Sequence, residues 1–364
     1  MKRAALWLAA AVAAVPAGRL LIHWFSMDLA EIHGVDYTRY LASALIGLRF
    51  GWSHLYDPAA QDVIARELGL FWLPNVYTPP MSLLLIPWTF ISLHSGFVLW
   101  SLLQLISLIA CWWMLTPRDW SLRPVLLAMM FVPYPVALGL LEGQVLPLQM
   151  AMVAGSYLLL QRRQDFLGGA LLVCLALKPQ GLELVPFALL VAGRRRAFLG
   201  WLLSMTAVGG LVLLLIGLDG ARTYVERLAS ESAHPEQLWV AWSYTFARHF
   251  GAGWHRSLAL LCAAGLTLFT AYRQRLEVVY SAALAGSLLA SPYVHLYDFM
   301  LLFPAAWLLL RCFPLRFCVP LLLPYVFMLF STQGGLGSRW VLLCECLWLV
   351  TLAALPRSAV RLAA

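Results

Sequence analysis

Residues 97–116 read FVLWSLLQLISLIACWWMLT, and none of these 20 residues is Asp, Glu, Lys or Arg. The hydrocarbon core of a lipid bilayer is about 30 Å thick, and a helix needs roughly 20 apolar residues to cross it. The segment therefore predicts a transmembrane helix.

Apolar runs of the same kind recur along almost the whole chain. The first follows Met1-Lys2-Arg3 and ends at Leu21. The others lie at about 79–93, 97–116, 124–140, 145–160, 167–192, 197–217, 257–272, 277–290, 298–313, 317–332 and 339–356. The sequence therefore predicts an all-α fold, a polytopic transmembrane helical bundle of roughly 11 to 13 spans. Residues 1–364 are expected to form a single integral-membrane domain.

The overall composition supports a membrane protein and excludes an ordinary soluble domain. Hydrophobic residues make up 62% of the chain and charged residues only 12%, whereas soluble domains carry about a quarter charged residues. The net charge of +8 comes from short arginine clusters between apolar runs. These clusters are Arg162-Arg163, Arg194–Arg196, Arg273 with Arg275, Arg311 with Arg316, and Arg357 with Arg361. This spacing is typical of cytoplasmic loops, and no aromatic-basic motif suggests nucleic acid as a partner.

The charge pattern also predicts an orientation. With the basic N-terminus inside, residues 25–76 form an outer loop, and two segments at about 38–50 and 59–70 have the apolar spacing of short helices at the membrane surface. Residues 218–256 form a second outer loop. We expect a multi-pass protein of the inner (cell) membrane.

One apolar run, 167–192, is broken in its middle by Lys178-Pro179-Gln180. If the arginine clusters on both sides are cytoplasmic, the run is a hairpin of two short helices. If it crosses once, one cluster lies outside. Irregular backbone at membrane depth is tolerated only where protein buries it or water reaches it, so either arrangement predicts a cavity beside Lys178.

A carboxylate in the first outer loop is a candidate general base. Asp36 lies in Gly34-Val35-Asp36-Tyr37, just outside the first helix, and a carboxylate at the water edge can accept a proton from a hydroxyl. Asp36 could equally cap the helix that follows. Asp28 and Glu31 compete for the same role, and Asp57 resembles a turn residue before Pro58.

Lys178 is one of only two lysines in the chain, the other being Lys2. A charged lysine inside a span costs at least ~2.5–3.5 kcal/mol, so a carboxylate such as Glu183 or an anionic ligand must offset it. An ammonium group suits a phosphate. The alternative is a side chain that reaches the membrane interface.

Three further polar motifs interrupt the apolar runs. Ser291-Pro292-Tyr293-Val294-His295-Leu296-Tyr297-Asp298 could bind a sugar or a phosphate, although a plain loop has a similar composition. Tyr77-Thr78-Pro79-Pro80 suits a helix start, because proline fits the first turn. Glu142-Gly143-Gln144 is a weaker break of the same kind.

Together these motifs resemble glycosyltransferase family 87, whose members are integral-membrane transferases of the GT-C class. The resemblance covers roughly residues 30–300. It rests on short motifs in a fixed order: Gly34-Val35-Asp36-Tyr37 with Tyr40, Leu55-Tyr56-Asp57, Tyr77-Thr78-Pro79-Pro80, Gly143-Gln144, Lys178-Pro179, and Ser291-Pro292-Tyr293 with Tyr297-Asp298. One departure is Thr78, because a tyrosine is expected directly before the prolines.

The resemblance implies a polyprenol-phosphate-mannose-dependent α-mannosyltransferase. The donor would be a hexose on a polyprenyl monophosphate, and the acceptor a hydroxyl of a glycan or glycolipid on the outer, periplasmic side. Transfer would invert the sugar, with Asp36 as general base and Lys178 and His295 on the lipid phosphate. The residues expected to position sugar or acceptor are Tyr37, Gln144, Tyr293, Tyr297 and Asp298. No cofactor is predicted, although the acidic loop could hold a divalent metal.

Two other functions remain open from the sequence. Broken helices with charges at mid-membrane are also used by transporters and lipid flippases. A polymerase or ligase of surface glycans shares the outer-face chemistry but normally uses lipid diphosphate donors.

Overall fold

The computed structural model describes residues 2–33, 35–70, 77–117, 122–233, 254–291, 294–313, 319–329 and 337–354. All regular elements in these ranges are helical, which confirms the predicted all-α class. The α-helices are α1 (Lys2–Phe25), α2 (Leu29–His33), α3 (Asp36–Phe50), α4 (Pro58–Glu67), α5 (Pro79–Leu84), α6 (Leu93–Leu115), α7 (Arg123–Met130), α8 (Tyr134–Leu141), α9 (Leu146–Gln161), α10 (Asp165–Ala170), α11 (Val185–Val191), α12 (Arg195–Ala233), α13 (Trp254–Ala271), α14 (Leu276–Ala290), α15 (Leu302–Cys312), α16 (Val319–Leu329) and α17 (Gly337–Ala353).

Two of the described helices are long and apolar enough to cross a membrane alone. They are α6 and the part of α12 from Arg195 to Ala229, and the bent pair α7–α8 makes a third candidate. Shorter apolar helical segments of 10–17 residues include α9, α14 and the part of α13 from Ser257 to Ala271. These findings support a membrane protein, whereas the count of 11 to 13 spans stays a prediction.

Proline breaks several runs that the sequence presents as continuous. The α7–α8 pair bends by 66°, and Pro133 and Pro135 lie at this bend. The run that begins at Pro79 changes from α5 to a 3₁₀ helix at Ile86–Phe90, where Pro87 lies near the first residue. Proline lacks an N–H and disfavours α-helix at the preceding residue, so the chain bends at these points.

The broken run between the arginine clusters is a hairpin. Helix α10 and the 3₁₀ helix Leu171–Ala176 lead to a turn at Lys178, and α11 returns. At the end of the run, Arg194 Nη1 lies 3.3 Å from Oδ1 of Asp165, which is at the beginning of the run. Both clusters therefore lie at the same end of the bundle, as the hairpin interpretation requires.

Glycines allow the hairpin to pack closely against α12. A Cβ at Gly169 would collide with the carbonyl group of Ala197, and a Cβ at Gly200 with that of Phe166. Small residues let helix backbones approach each other closely in membranes, where dispersion rather than water exclusion holds helices together. This contact fixes the hairpin, and with it the position of Lys178.

The bundle has two chemically different ends. Several arginines gather at one of them, which we name the arginine end. It includes Arg162 after α9, Arg194 before α12 and Arg311 near the end of α15. Glu277 lies at the same end, where its carboxylate is 3.4 Å from Gln161 Nε2 and 3.6 Å from Arg275 Nε. The other end carries the turns at 142–144 and 177–184 and the start of the 3₁₀ helix Leu296–Leu301.

Helices α3 and α4 cover the two segments predicted as surface helices. They pack with the distal part of α12, where Tyr56 stacks on Tyr224 with ring centroids 4.7 Å apart. Helix α12 has a backbone break at Gly217, with φ of 70°. This break coincides with the predicted end of the span, but the chain continues as a helix to Ala233, so the first part of the predicted second outer loop is helical.

Candidate active site

Asp36 is the first residue of α3, and side chains rather than the helix backbone bind its carboxylate. The N-cap position belongs to Val35. Oδ1 accepts from Arg39 Nη1 at 2.6 Å and from Tyr77 Oη at 2.8 Å, and Oδ2 accepts from the Gln144 amide. The capping interpretation is therefore wrong, and Asp36 is a hub of side-chain contacts.

The turn after α8 holds the start of α3. The Glu142 carboxylate accepts the N–H of Asp36 at 3.2 Å, and the Glu142 carbonyl accepts that of Tyr37 at 3.0 Å. Burial, together with the charge of Asp36, raises the pKa of Glu142 to about 7. Glu142 thus satisfies two N–H groups that a helix start leaves without intrahelical partners.

Gln144 connects Asp36 to Lys178. Its Nε2 donates to Asp36, while its Oε1 accepts from Tyr40 Oη at 3.1 Å and from Lys178 Nζ at 3.4 Å. The preceding Gly143 has φ of 69°, and a Cβ there would collide with Tyr37. A tight turn that only glycine fits therefore places the bridging amide.

Lys178 lies at the tip of the hairpin and has an ion-pair partner. Its Nζ is 2.5 Å from Asp298 Oδ1 and 4.4 Å from the centroid of the Tyr297 ring. The sequence suggested Glu183 as a partner, but the carboxylate is that of Asp298. The reason is the fold, because the 3₁₀ helix Leu296–Leu301 begins beside the hairpin tip.

Buried hydrogen bonds hold the backbone of the hairpin tip. Gln149, which is fully buried, donates to the carbonyls of Cys174 and Lys178 at 2.8 Å and 2.6 Å. Thr78 Oγ1 donates to the carbonyl of Leu177 at 2.8 Å. Thr78, the residue that departs from the expected motif, thus binds the hairpin, and Tyr77 before it still reaches Asp36.

Asp298 also organises the segment that carries His295. Its Oδ2 accepts the N–H of His295 at 2.8 Å, and the imidazole lies 4.8 Å from the Tyr297 ring. Burial lowers the pKa of His295 to about 4. His295 is therefore a neutral imidazole at neutral pH rather than a second cation.

These contacts define one cluster, which we name the Asp36–Lys178 cluster. It contains Asp36, Arg39, Tyr40, Tyr77, Glu142, Gln144, Lys178, Tyr297 and Asp298, with His295 beside it. Opposite charges are paired within it, and amide and phenol groups join the pairs. In the described chain, no group of three or more His, Cys, Asp and Glu is suited to hold a metal ion.

The comparisons with known proteins give the family. Residues 75–304 match the model of glycosyltransferase family 87, which is more than half of the chain. The chain belongs to glycosyltransferase family 87. As a family 87 protein it is a membrane glycosyltransferase with a donor and an acceptor substrate. No curated protein and no solved structure matches it.

The family 87 match begins at residue 75, near the end of the predicted outer loop at 25–76. Asp36 and Tyr40 precede it, whereas Gln144, Lys178 and Asp298 lie inside it. The matched region therefore supplies most of the cluster, and the structure shows that residues of α3, outside the match, complete it.

Not every residue suggested by the sequence joins the cluster. The Tyr37 ring packs against Phe97 on α6, and among the described residues its buried hydroxyl has no hydrogen-bond partner. Tyr293 lies outside the described residues. Asp28 and Glu31 bind each other's backbone N–H groups at the surface, and Asp57 caps α4 by accepting from Ala59 at 2.9 Å.

Four members of the cluster were missed as site residues: Arg39, Tyr40, Tyr77 and Glu142. Arg39 is three residues after Asp36, a spacing at which helix side chains meet. Tyr77 and Glu142 both lie in polar motifs between apolar runs. Their contact with Asp36 depends on tertiary packing across 41 and 106 residues of chain.

Proposed function

We propose that this family 87 protein transfers a hexose, specifically mannose, from a polyprenyl-monophosphate sugar to an acceptor hydroxyl, with inversion and with Asp36 as general base. The acceptor is a glycan or glycolipid at the outer face of the cell membrane. One observation carries the proposal. The Gln144 amide joins a carboxylate at the start of α3 to an ammonium group at a hairpin tip within one cluster.

Asp36 suits a proton acceptor because its contacts with the described residues leave one lone-pair position of the carboxylate open. A carboxylate offers about four lone-pair positions, and the side-chain contacts of Asp36 occupy three of them. The acceptor hydroxyl gives its proton to the remaining position on Oδ2. Its oxygen then bonds to C1 of the sugar as the bond from C1 to the phosphate oxygen breaks.

Lys178 suits the departing phosphate for a similar reason. An ammonium group has three N–H donors, and Asp298 and Gln144 accept two of them. The third can donate to the phosphate oxygen that takes the electron pair of the broken bond. Fixed positive charge is most effective where negative charge develops in the transition state.

The neighbouring aromatic and polar groups complete the proposed site. His295, neutral because burial lowers its pKa to about 4, donates an N–H to the lipid phosphate. Tyr297 and Gln144 position the sugar, Asp298 holds Lys178, and Tyr293 and Tyr37 remain expected contributors from the sequence. A metal ion is not part of the proposal.

The arginine end supports the proposed orientation. Basic residues favour the cytoplasmic side, and Asp36 and Lys178 lie at the opposite end of the bundle from Arg162 and Arg194. The acceptor therefore arrives from the periplasm or the cell exterior, while the lipid donor arrives from the membrane.

The proposal is tested with purified protein, polyprenyl-phosphate-mannose and an acceptor glycan. With the mannose of the donor radiolabelled, the expected product is an acceptor that carries label in a new α-mannosidic bond. An excess of unlabelled lipid monophosphate sugar should compete with the donor and reduce the label in this product. Movement of the donor across the bilayer without a new bond would identify a flippase. Competition by a lipid diphosphate sugar, and none by the monophosphate, would identify a polymerase or ligase.

A further inference from the structure

A cavity at the arginine end lies apart from the Asp36–Lys178 cluster. It has a volume of about 580 Å³ and lies between the ends of α6, α9 and α15 and the start of α7. The residues that line it are Trp113, Met114, Thr116, Arg123, Leu158, Gln161, Arg162 and Arg311. Three are arginines, and none of these described lining residues is acidic.

Two of these arginines donate hydrogen bonds to uncharged oxygens of neighbouring residues. Arg311 Nη1 donates to the carbonyl of Met114 at 2.8 Å. Arg123, which is only 7% exposed, donates to Thr116 Oγ1 at 3.1 Å and to the Trp113 carbonyl at 2.5 Å. These contacts fix the orientation of both guanidinium groups at the wall of the cavity.

The third arginine is different in exposure. Arg162 follows the last turn of α9 and is exposed. Guanidinium groups bind phosphate oxygens through paired N–H donors, and like charges around one cavity repel each other until an anion enters. The arrangement therefore suits one anion with several oxygen atoms.

The position of the cavity points to the headgroup layer of the membrane. Helix α9 has 16 residues, about 24 Å at 1.5 Å per residue, and it separates Gln144 from Arg162. The neighbouring Trp113 is 51% exposed, and tryptophan favours the membrane–water interface. Basic pockets between helices at this depth bind anionic lipid headgroups.

We propose that this cavity is a binding site for a phosphate group, held by Arg123, Arg162 and Arg311. The phosphate belongs to the headgroup of an anionic phospholipid or is a free phosphate ion. The site is independent of the proposed transfer reaction, because it lies at the opposite end of α9 from the Asp36–Lys178 cluster.

The test is native mass spectrometry of the full-length protein in a neutral detergent, titrated with phosphatidylglycerol or with phosphatidylcholine. We expect one tightly bound equivalent of phosphatidylglycerol. Arg162→Gln should weaken its binding about fivefold or more, since a charge-assisted hydrogen bond from this cavity-lining residue to the phosphate is lost. Among the described residues, no contact between helices depends on the Arg162 side chain, so the variant should fold.

The matched control is Arg195→Gln, which removes the same charge from an exposed position at the same end. Its affinity should stay within about twofold of wild type. Inorganic phosphate is added as a competitor. Displacement of the lipid shows that the free ion fills the site, and failure to displace it shows that the headgroup is required. Equal losses in both variants, or equal binding of phosphatidylcholine, would overturn the proposal.

Discussion

Lys178 combines a buried ion pair, a ring contact and an amide contact at one ammonium group. Its charge is matched by Asp298, which is 1% exposed, and Gln149 fixes its backbone. A charge in such surroundings costs free energy unless it is paired. The pairing explains how the lysine is tolerated, and in the proposed mechanism its third N–H donates to the lipid phosphate.

Replacing Lys178 by Ala should weaken binding of polyprenyl-phosphate-mannose about tenfold or more, because a charge-assisted hydrogen bond to phosphate is lost. The measurement is a donor titration followed by single-turnover transfer. Arg195→Gln is the control for loss of one positive charge elsewhere, and thermal unfolding verifies that the variant is folded. Unchanged donor affinity together with an unchanged rate would show that Lys178 has a structural role and does not bind the donor phosphate.

Glu142 gives the protein a pH-dependent stability. Its pKa is raised from 4.5 to about 7 by burial and by the charge of Asp36. Between these pH values the folded protein keeps a proton at Glu142 that the unfolded chain releases, so stability falls as pH rises through this interval. Wild type should lose stability relative to Glu142→Gln from about pH 4.5 to 7 and change little above it. Melting temperatures of both proteins across this range provide the measurement, and a constant difference would contradict the assignment.

The sequence identified about half of the cluster. Asp36, Gln144, Lys178, Tyr297 and Asp298 were suggested because polar residues in apolar runs are costly and therefore informative. The pairing of Lys178 with Asp298 was not predicted, because 120 residues of chain separate them. Spacing indicates which residues are unusual, and only the packing of helices shows which of them meet.

Helix α10 and helix α12 form the contact that positions the hairpin. Their backbones approach at Gly169 and Gly200, where no side chain stands between them. A hairpin of short helices exposes many backbone groups at its tip, so it depends on neighbours for stability. The position of Lys178 is therefore set by a helix contact distant from the site.

Gly169→Ala should lower the free energy of unfolding by about 1–3 kcal/mol or more, because the added methyl group meets the Ala197 carbonyl and overpacking carries this cost. Gly209→Ala on α12 is the matched control. Its Cβ would meet nothing within 4 Å, and alanine favours helix by about 0.5–1 kcal/mol. Both are measured by thermal unfolding in detergent. Equal stability of the two variants would refute the close-packing account.

The sequence predicts which segments are helical better than it predicts where those helices are interrupted. The start of α5 at Pro79 and the helices α3 and α4 follow from local signals in the sequence. The bend between α7 and α8 and the 3₁₀ segments do not, because hydropathy averages over the prolines that interrupt a run. The sequence allows either a hairpin or a single crossing at 167–192, and the Asp165–Arg194 ion pair supports the hairpin.

On the scale of the whole molecule, the arginine end and the Asp36–Lys178 cluster lie at opposite ends of the bundle. The arginine end is expected to face the cytoplasm, and the Asp36–Lys178 cluster faces the opposite side. This division would let a lipid donor and a water-soluble or lipid acceptor meet at one surface while the other surface anchors the protein.

The orientation is tested by labelling single cysteines in a cysteine-free background. Asp62→Cys on α4 and Arg195→Cys on α12 both replace exposed residues, one at each end. A membrane-impermeant maleimide should label Asp62→Cys in intact cells and Arg195→Cys only after permeabilisation. The reverse pattern would place the cluster in the cytoplasm.

The most direct test of the proposed mechanism is the single-turnover rate of mannose transfer by Asp36→Asn at saturating polyprenyl-phosphate-mannose. Asparagine has the same size and shape, but one carboxylate oxygen becomes an NH₂ donor and the side chain is a very weak base. The rate should therefore fall at least about 100-fold, while donor affinity and folding are retained. Asp28→Asn, at an exposed position, should transfer at the wild-type rate. An Asp36→Asn protein that keeps more than about a tenth of the wild-type rate would contradict the assignment of Asp36 as the base.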